Sequence, residues 1–208
     1  MATRRRAKAA EDKRAAILTA GFTLFSRYGY RRTSIEEVAR AADIAKGTVY
    51  LYFKTKEEIF RALAQTTIDR VLEGATAAAA APGTVGERLR AILEAKFGYF
   101  HDLLAGSPHA SELLDSKSRV CADLFQQADR AYQRLLARTI ADAAARGELA
   151  PTRAGLTPEA AAELLMGSAH GLSLGADAPP TARQLRRQLD DLVRLLVAGL
   201  RGSRRSAA

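Results

Sequence analysis

The seven consecutive residues Lys46-Gly47-Thr48-Val49-Tyr50-Leu51-Tyr52 combine a cation, hydroxyls and a glycine that can meet duplex DNA, in an order that suits one short helix. On such a helix Val49 points inward together with Phe53, because residues four apart share a face. That leaves Lys46, Gly47, Thr48 and Leu51 free to face DNA. Tyr50 and Tyr52 flank this surface with hydroxyls that can donate to phosphate. Gly47 has no side chain, so the backbone can approach a duplex closely.

A reading helix of this kind needs a brace, and the preceding residues supply one. Ala42, Asp43 and Ile44 form a tight break. Before it, Thr33 or Ser34 caps a short helix with Ile35, Val38 and Ala39 inward. Glu36 and Glu37 lie in its first turn, where the helix dipole favours acidic groups. A longer helix, from about Ala10 to Tyr28, turns Ile17, Leu18, Phe22 and Phe25 to one side and ends at Gly29. Two short helices about a three-residue turn are the minimal helix-turn-helix, whose second helix enters the major groove by its N-terminal end.

Charge placement agrees. The formal charge is +9 over 208 residues. Residues 1–70 hold 15 Lys or Arg against 8 Asp or Glu, whereas the remaining 138 carry a net charge of only +2. A basic first third suits a polyanion, since neutralising phosphates releases counterions. No apolar run approaches the ~20 residues of a membrane span. The N-terminus lacks an apolar signal region, and Cys121 has no second cysteine to pair with, so a reduced, cytoplasmic, nucleoid-associated setting is expected.

Other chemistries find no motif. A phosphate loop, a nucleophile elbow, a His-Glu-x-x-His pair and a dinucleotide fingerprint are all absent from the sequence. His101, His109 and His170 lack metal-ligand spacing. No enzyme activity, cofactor or metal is expected. Cys121 sits on an apolar stripe and reads as buried and inert.

The segment from Gly21 to Phe60 resembles the DNA-binding domain of the TetR family of transcription regulators. The features that carry the resemblance are Phe25, Gly29 and Tyr30, then Thr33-Ser34-Ile35, Val38-Ala39, Gly47-Thr48-Val49-Tyr50, Tyr52-Phe53 and Lys56-Glu57. It implies that Thr33 and Ser34 contact phosphate at the start of the second helix. Lys46, Gly47 and Thr48 would lie in the groove, Tyr50 and Tyr52 would hold the backbone, and Lys56 would bind phosphate at the start of the fourth helix. Lys46 would then donate to guanine O6 or N7, Thr48 would meet a thymine methyl, and Leu51 is a further candidate for a base contact. Two positions depart from the family pattern. Asp43 stands where glycine is common, and aspartate tolerates a left-handed backbone better than most residues. Ala45 stands where serine often caps the recognition helix, which costs ~1 kcal/mol of capping.

The fold implied is all-α: an N-terminal three-helix helix-turn-helix domain joined to a larger helical ligand-binding and dimerisation domain, about nine helices in all. The expected divisions are a disordered basic arm at residues 1–9, the DNA-binding domain at 10–56, a connecting fourth helix at 55–73, a C-terminal domain at 74–201 and a disordered tail at 202–208. The Ala-rich stretch before Pro82-Gly83 reads as a flexible connection. By analogy with the family, the last two helices would pair with their twins in a homodimer. Gly167, Ser168, Ala169 and Gly171 would permit close approach there. Phe97, Phe100, His101, Leu104, Phe125, Tyr132, Met166 and His170 are candidates to line a cavity for a small-molecule effector, although each of these residue types is more often plain core. The expected function is a transcriptional regulator, a repressor released from a pseudo-palindromic operator by its effector. The competing reading is a nonspecific or architectural DNA-binding protein.

Overall fold

The computed structural model describes residues 2–110, 112–113, 119–175 and 179–201, and all regular structure among them is helical. The chain divides into two compact units. One comprises Met1–Ile68 with Leu104–Phe125, the other Asp69–Leu103 with Gln126–Ala208.

The first unit is built on α1 (Ala2–Tyr28), α2 (Ile35–Ala41), α3 (Lys46–Tyr52) and the start of α4 (Lys56–Ala80). Ser34 caps α2 in a complete capping box. Its hydroxyl accepts from Glu37 N at 3.2 Å, and the Glu37 carboxylate accepts from Ser34 N at 2.8 Å. Gly29 ends α1 with φ 88°, a conformation that costs other residues a steric penalty. Ile17, Phe25, Val38, Val49, Phe53 and Ile59 form the core. Phe25, Tyr30 and Phe60 meet there with ring centroids 5.0–5.8 Å apart. Phe22, expected in the core, is 41% exposed.

The segment Leu104–Phe125 belongs to this unit, although the sequence reading placed it wholly in the C-terminal domain. Leu113 and Val120 pack on the core. Arg61 grips Asp123 through two guanidinium nitrogens, at 2.8 and 2.6 Å, and donates to Val120 O at 2.5 Å. The Glu112 carboxylate accepts from Arg31 N at 2.6 Å.

The second unit holds the rest of α4, α5 (Val85–Leu93), a π-helical turn (Glu94–Gly98), α6 (Tyr99–Ala105, which ends in the first unit's segment), α7 (Ala122–Ala145, which begins there), a 3-10 turn (Pro151–Ala154), α8 (Pro158–Leu174) and α9 (Ala182–Leu200). Thr84, Thr157 and Thr181 cap α5, α8 and α9, and Pro158 opens α8, where a missing N–H costs nothing. Leu89, Ile92, Leu136, Ile140, Leu165, Leu185 and Leu189 are fully buried in one core.

Two expectations of the element bounds differ from the structure. α1 runs back to Ala2, through residues expected to form a disordered arm. Residues 2–10 include Ala, Arg and Lys with no Gly or Pro, and their helix propensity carries the helix onward. α4 likewise runs through the Ala-rich stretch to Ala80 rather than ending near residue 73, because alanine is the best helix former and the break comes only at Pro82-Gly83. The expected tail, 202–208, lies outside the described residues.

Candidate nucleic-acid interface

α3 is held by its two inward side chains. Val49 is fully buried and Phe53 nearly so. The guanidinium of Arg14, from α1, lies 5.5 Å from the centre of the Phe53 ring. The turn that aims α3 closes through Ile44 N, which donates to Ala39 O at 3.0 Å. Asp43 takes the left-handed conformation with φ 54°, as its position in the turn requires. Ala45 begins α3 with no side-chain cap, so the first α3 amides have no hydroxyl to meet.

With the inner face fixed, the outer face follows. Lys46 and Gly47 are exposed, and nothing lies within 4 Å of where a Gly47 side chain would start. Leu51 is 77% exposed, a large apolar side chain standing in water on the helix expected to enter a groove. Thr48, Tyr50 and Tyr52 are half-buried at the edges of the same face. Lys46 Nζ forms an ion pair with the Glu36 carboxylate of α2 and lies 5.8 Å from the Tyr50 ring centre. The hydrogen bond between them lowers the Glu36 pKa and raises that of Lys46. The hydrogen bond of Ser34 N to Glu37 lowers the Glu37 pKa in the same way.

Three residues expected to bind phosphate have other partners. Thr33 is 3% exposed, and its hydroxyl donates to Gly29 O at 2.8 Å. The Ser34 hydroxyl serves the α2 capping box. Lys56 Nζ donates to three carbonyls, Tyr30 O at 2.9 Å, Arg31 O at 3.0 Å and Thr33 O at 3.0 Å, over the face of Tyr30 at 4.7 Å. An ammonium has three protons, so all of them are committed to the α1–α2 loop. Burial, and next the charge of Glu57, push the Tyr30 hydroxyl up to about 12.

Of the candidate effector residues, Phe97, Tyr132 and Met166 meet in the core of the second unit. The His170 ring stands edge-on to Phe97 at 5.0 Å. Phe100 packs at the margin of that core, and His101 Nε2 lies 2.7 Å from Pro180 O. Leu104 and Phe125 belong to the other unit. Lys96, not among the residues expected to line a cavity, is only 7% exposed. Its ammonium bonds Asp129 at 2.5 Å and lies over the Phe97 and Tyr132 rings at 5.0 and 5.3 Å. The signal was its spacing, four residues after Ile92 and three after Leu93, which puts it on the apolar stripe itself. Among the described residues there is no group of three or more side chains fit to hold a metal, and no helix is long and apolar enough to cross a membrane.

Residues 17–63 match the family model for bacterial regulatory proteins of the tetR family. The HTH-type transcriptional activator FasR of Mycolicibacterium smegmatis is 30% identical over 93 residues, covering 44% of this chain and 42% of that protein. The alignments to the first two curated relatives span only about a third of those proteins, 34% and 31%. A transcriptional regulator of the TetR/AcrR family from Thermobifida fusca shares the fold with a TM-score of 0.67 and 27% identity, over 93% of this chain and 100% of that one. SmeT, solved as a complex with triclosan, matches with a TM-score of 0.70 at 22% identity, over 92% of both chains.

Proposed function

We propose that this chain, which matches the tetR family model over residues 17–63, is a DNA-binding transcriptional regulator of that family that reads its operator with the exposed face of α3. One observation carries the reading. Lys46, Gly47 and Leu51 stand outward, with Thr48 half-buried at their edge, on a helix whose other face is locked by Val49 and Phe53. An exposed leucine beside a lysine and a glycine has no packing purpose, whereas each suits the floor of a major groove. Tyr50 and Tyr52 are proposed to donate to flanking phosphates, which set position rather than sequence. Thr33, Ser34 and Lys56 are proposed to act by shaping the loop and the α2 start.

The regulator is proposed to work as a homodimer through α8 and α9. On α8, Leu164, Gly167, Ser168, Gly171 and Leu174 are exposed at helical spacing, and Leu195 is exposed on α9. A two-fold axis would place two recognition helices on half-sites about 34–36 Å apart. Repression relieved by a small-molecule effector is the proposed mode. The effector would bind the second unit around Phe97, Tyr132, Met166 and His170 and shift the population of dimers towards one with altered head separation. The boundary between the units falls inside α4, which is thus the proposed carrier. The triclosan complex of SmeT supports an effector in this fold, and FasR, an activator by name, supports activation as the alternative sign.

Fluorescence anisotropy tests the reading, with the chain's own upstream DNA against scrambled DNA of equal length at fixed salt. A preference of ~10³ or more, lost in Lys46→Ala and Tyr52→Ala, is expected. Equal affinity for both DNAs would favour an architectural binder, and binding to neither would overturn the proposal.

A further inference from the structure

Lysine is a poor reader of bases when left alone. Its four-carbon stem is flexible, its charge is a point, and any phosphate satisfies it. Lys46 is not left alone. Its ammonium meets the carboxylate of Glu36, ten residues earlier on a different helix, with the Tyr50 ring on α3 nearby at 5.8 Å. About half of each charged side chain faces water, 53% for Lys46 and 48% for Glu36. An ion pair so exposed contributes little to folding. Its effect is on where the ammonium can be, and the Lys46 pKa raised chiefly by that bond agrees with a formed pair.

We propose that Glu36 is a positioning residue for base recognition: by holding Lys46 at the mouth of α3 it makes a sequence-blind cation into a reader of guanine. The inference rests on the DNA-reading role of α3 given above. An ammonium has three protons. One goes to Glu36, and two remain, which is the number of acceptors, O6 and N7, that guanine shows in the major groove. Glu36 itself carries a negative charge on a surface meant for phosphates and repels every duplex alike. Removing it has two opposite effects. Affinity for arbitrary DNA rises, because a repulsive charge goes and Lys46 is free to seek phosphate. Discrimination falls, because the ammonium no longer waits at the base edge.

The test starts with the full chain and a random-sequence 30-base-pair duplex library, from which the wild-type protein selects a site. Anisotropy then compares the wild type, Glu36→Gln, Lys46→Met and the double variant on the selected duplex and on a shuffled one, with thermal melts confirming that each folds. Glu36→Gln is expected to bind the shuffled duplex more tightly, with a log–log salt slope steeper by about 0.9. Its preference for the selected site should fall at least about five-fold, the lower bound for one bidentate contact. In the Lys46→Met background the same change should leave the preference unaltered. A Glu36→Gln protein that keeps its preference, or loses it equally without Lys46, overturns the positioning role while leaving the regulator reading intact. Failure of the wild type to select any site overturns the DNA-reading role and this inference with it.

Discussion

Lys56 is where the family resemblance and the geometry give different answers, and one substitution separates them. The resemblance makes it a phosphate ligand. The structure spends its three protons on Tyr30 O, Arg31 O and Thr33 O. Lys56→Met keeps the stem and removes the ammonium. Each bond to a charged group is worth ~1.5–3 kcal/mol when one partner is deleted, but the bond to Arg31 O is exposed and those to Tyr30 O and Thr33 O only part-buried, so water replaces part of the loss. A net loss of about 2–3 kcal/mol follows. In a unit of this size each kcal/mol moves the midpoint by ~4–8 °C, so melting should fall on the order of 10–20 °C. The salt slope on operator DNA, measured well below the midpoint, should stay within error of wild type. Melts followed by circular dichroism and anisotropy at four or five salt concentrations read both quantities. A Lys56→Met protein that melts like wild type, with a slope shallower by about 0.9, would show the ammonium bound to phosphate and refute the reasoning.

Other perturbations have equally definite outcomes. Ala45→Ser supplies the missing cap of α3 and should raise stability by ~0.5–1 kcal/mol in urea titrations. Leu51→Ala should leave stability within about 0.5 kcal/mol, since the side chain is 77% exposed, yet weaken operator binding without weakening binding to shuffled DNA. The Arg61 guanidinium holds the Asp123 carboxyl down at about 2 from an ordinary 3.8. A depressed carboxylate stabilises above its unfolded pKa and loses that contribution as pH falls through the folded value. Stability should therefore drop between about pH 4 and pH 2, and Asp123→Asn should flatten that part of the profile. Burial pushes the Cys121 thiol up to about 11, so a disulfide reagent at pH 8 should label it slowly when native and at once in denaturant.

What the sequence made legible was whatever depends on neighbours along the chain. α3 runs Lys46–Tyr52 as expected, because a break, an inward Val49 and an inward Phe53 define it locally. Asp43 and Ala45 behave as their chemistry requires, one left-handed and the other without a cap. Thr33 and Lys56 could not be placed this way. Both stand at helix starts, where polar side chains usually reach outward, and only the fold of the α1–α2 loop turns them towards carbonyls. Lys96 was hidden by type rather than position, since a lysine on an apolar stripe reads as a solvated interruption until a carboxylate such as Asp129 is found beside it. Asp129 lies 33 residues away, and no local pattern pairs them.

The membership of Leu104–Phe125 in the first unit bears on how such a protein can be re-engineered. The chain passes between the units at three places, after Ile68, after Leu103 and after Phe125. A reading head cut out at residue 68 leaves behind Leu113 and Val120 from its core, the carboxylate that Arg61 grips, and the acceptor of Arg31 N. Chimeras that exchange only the N-terminal third would thus graft a head onto a foreign cradle. A transplant that carries both stretches moves the head with its own bed, and it is the natural currency for exchanging operator preference between relatives.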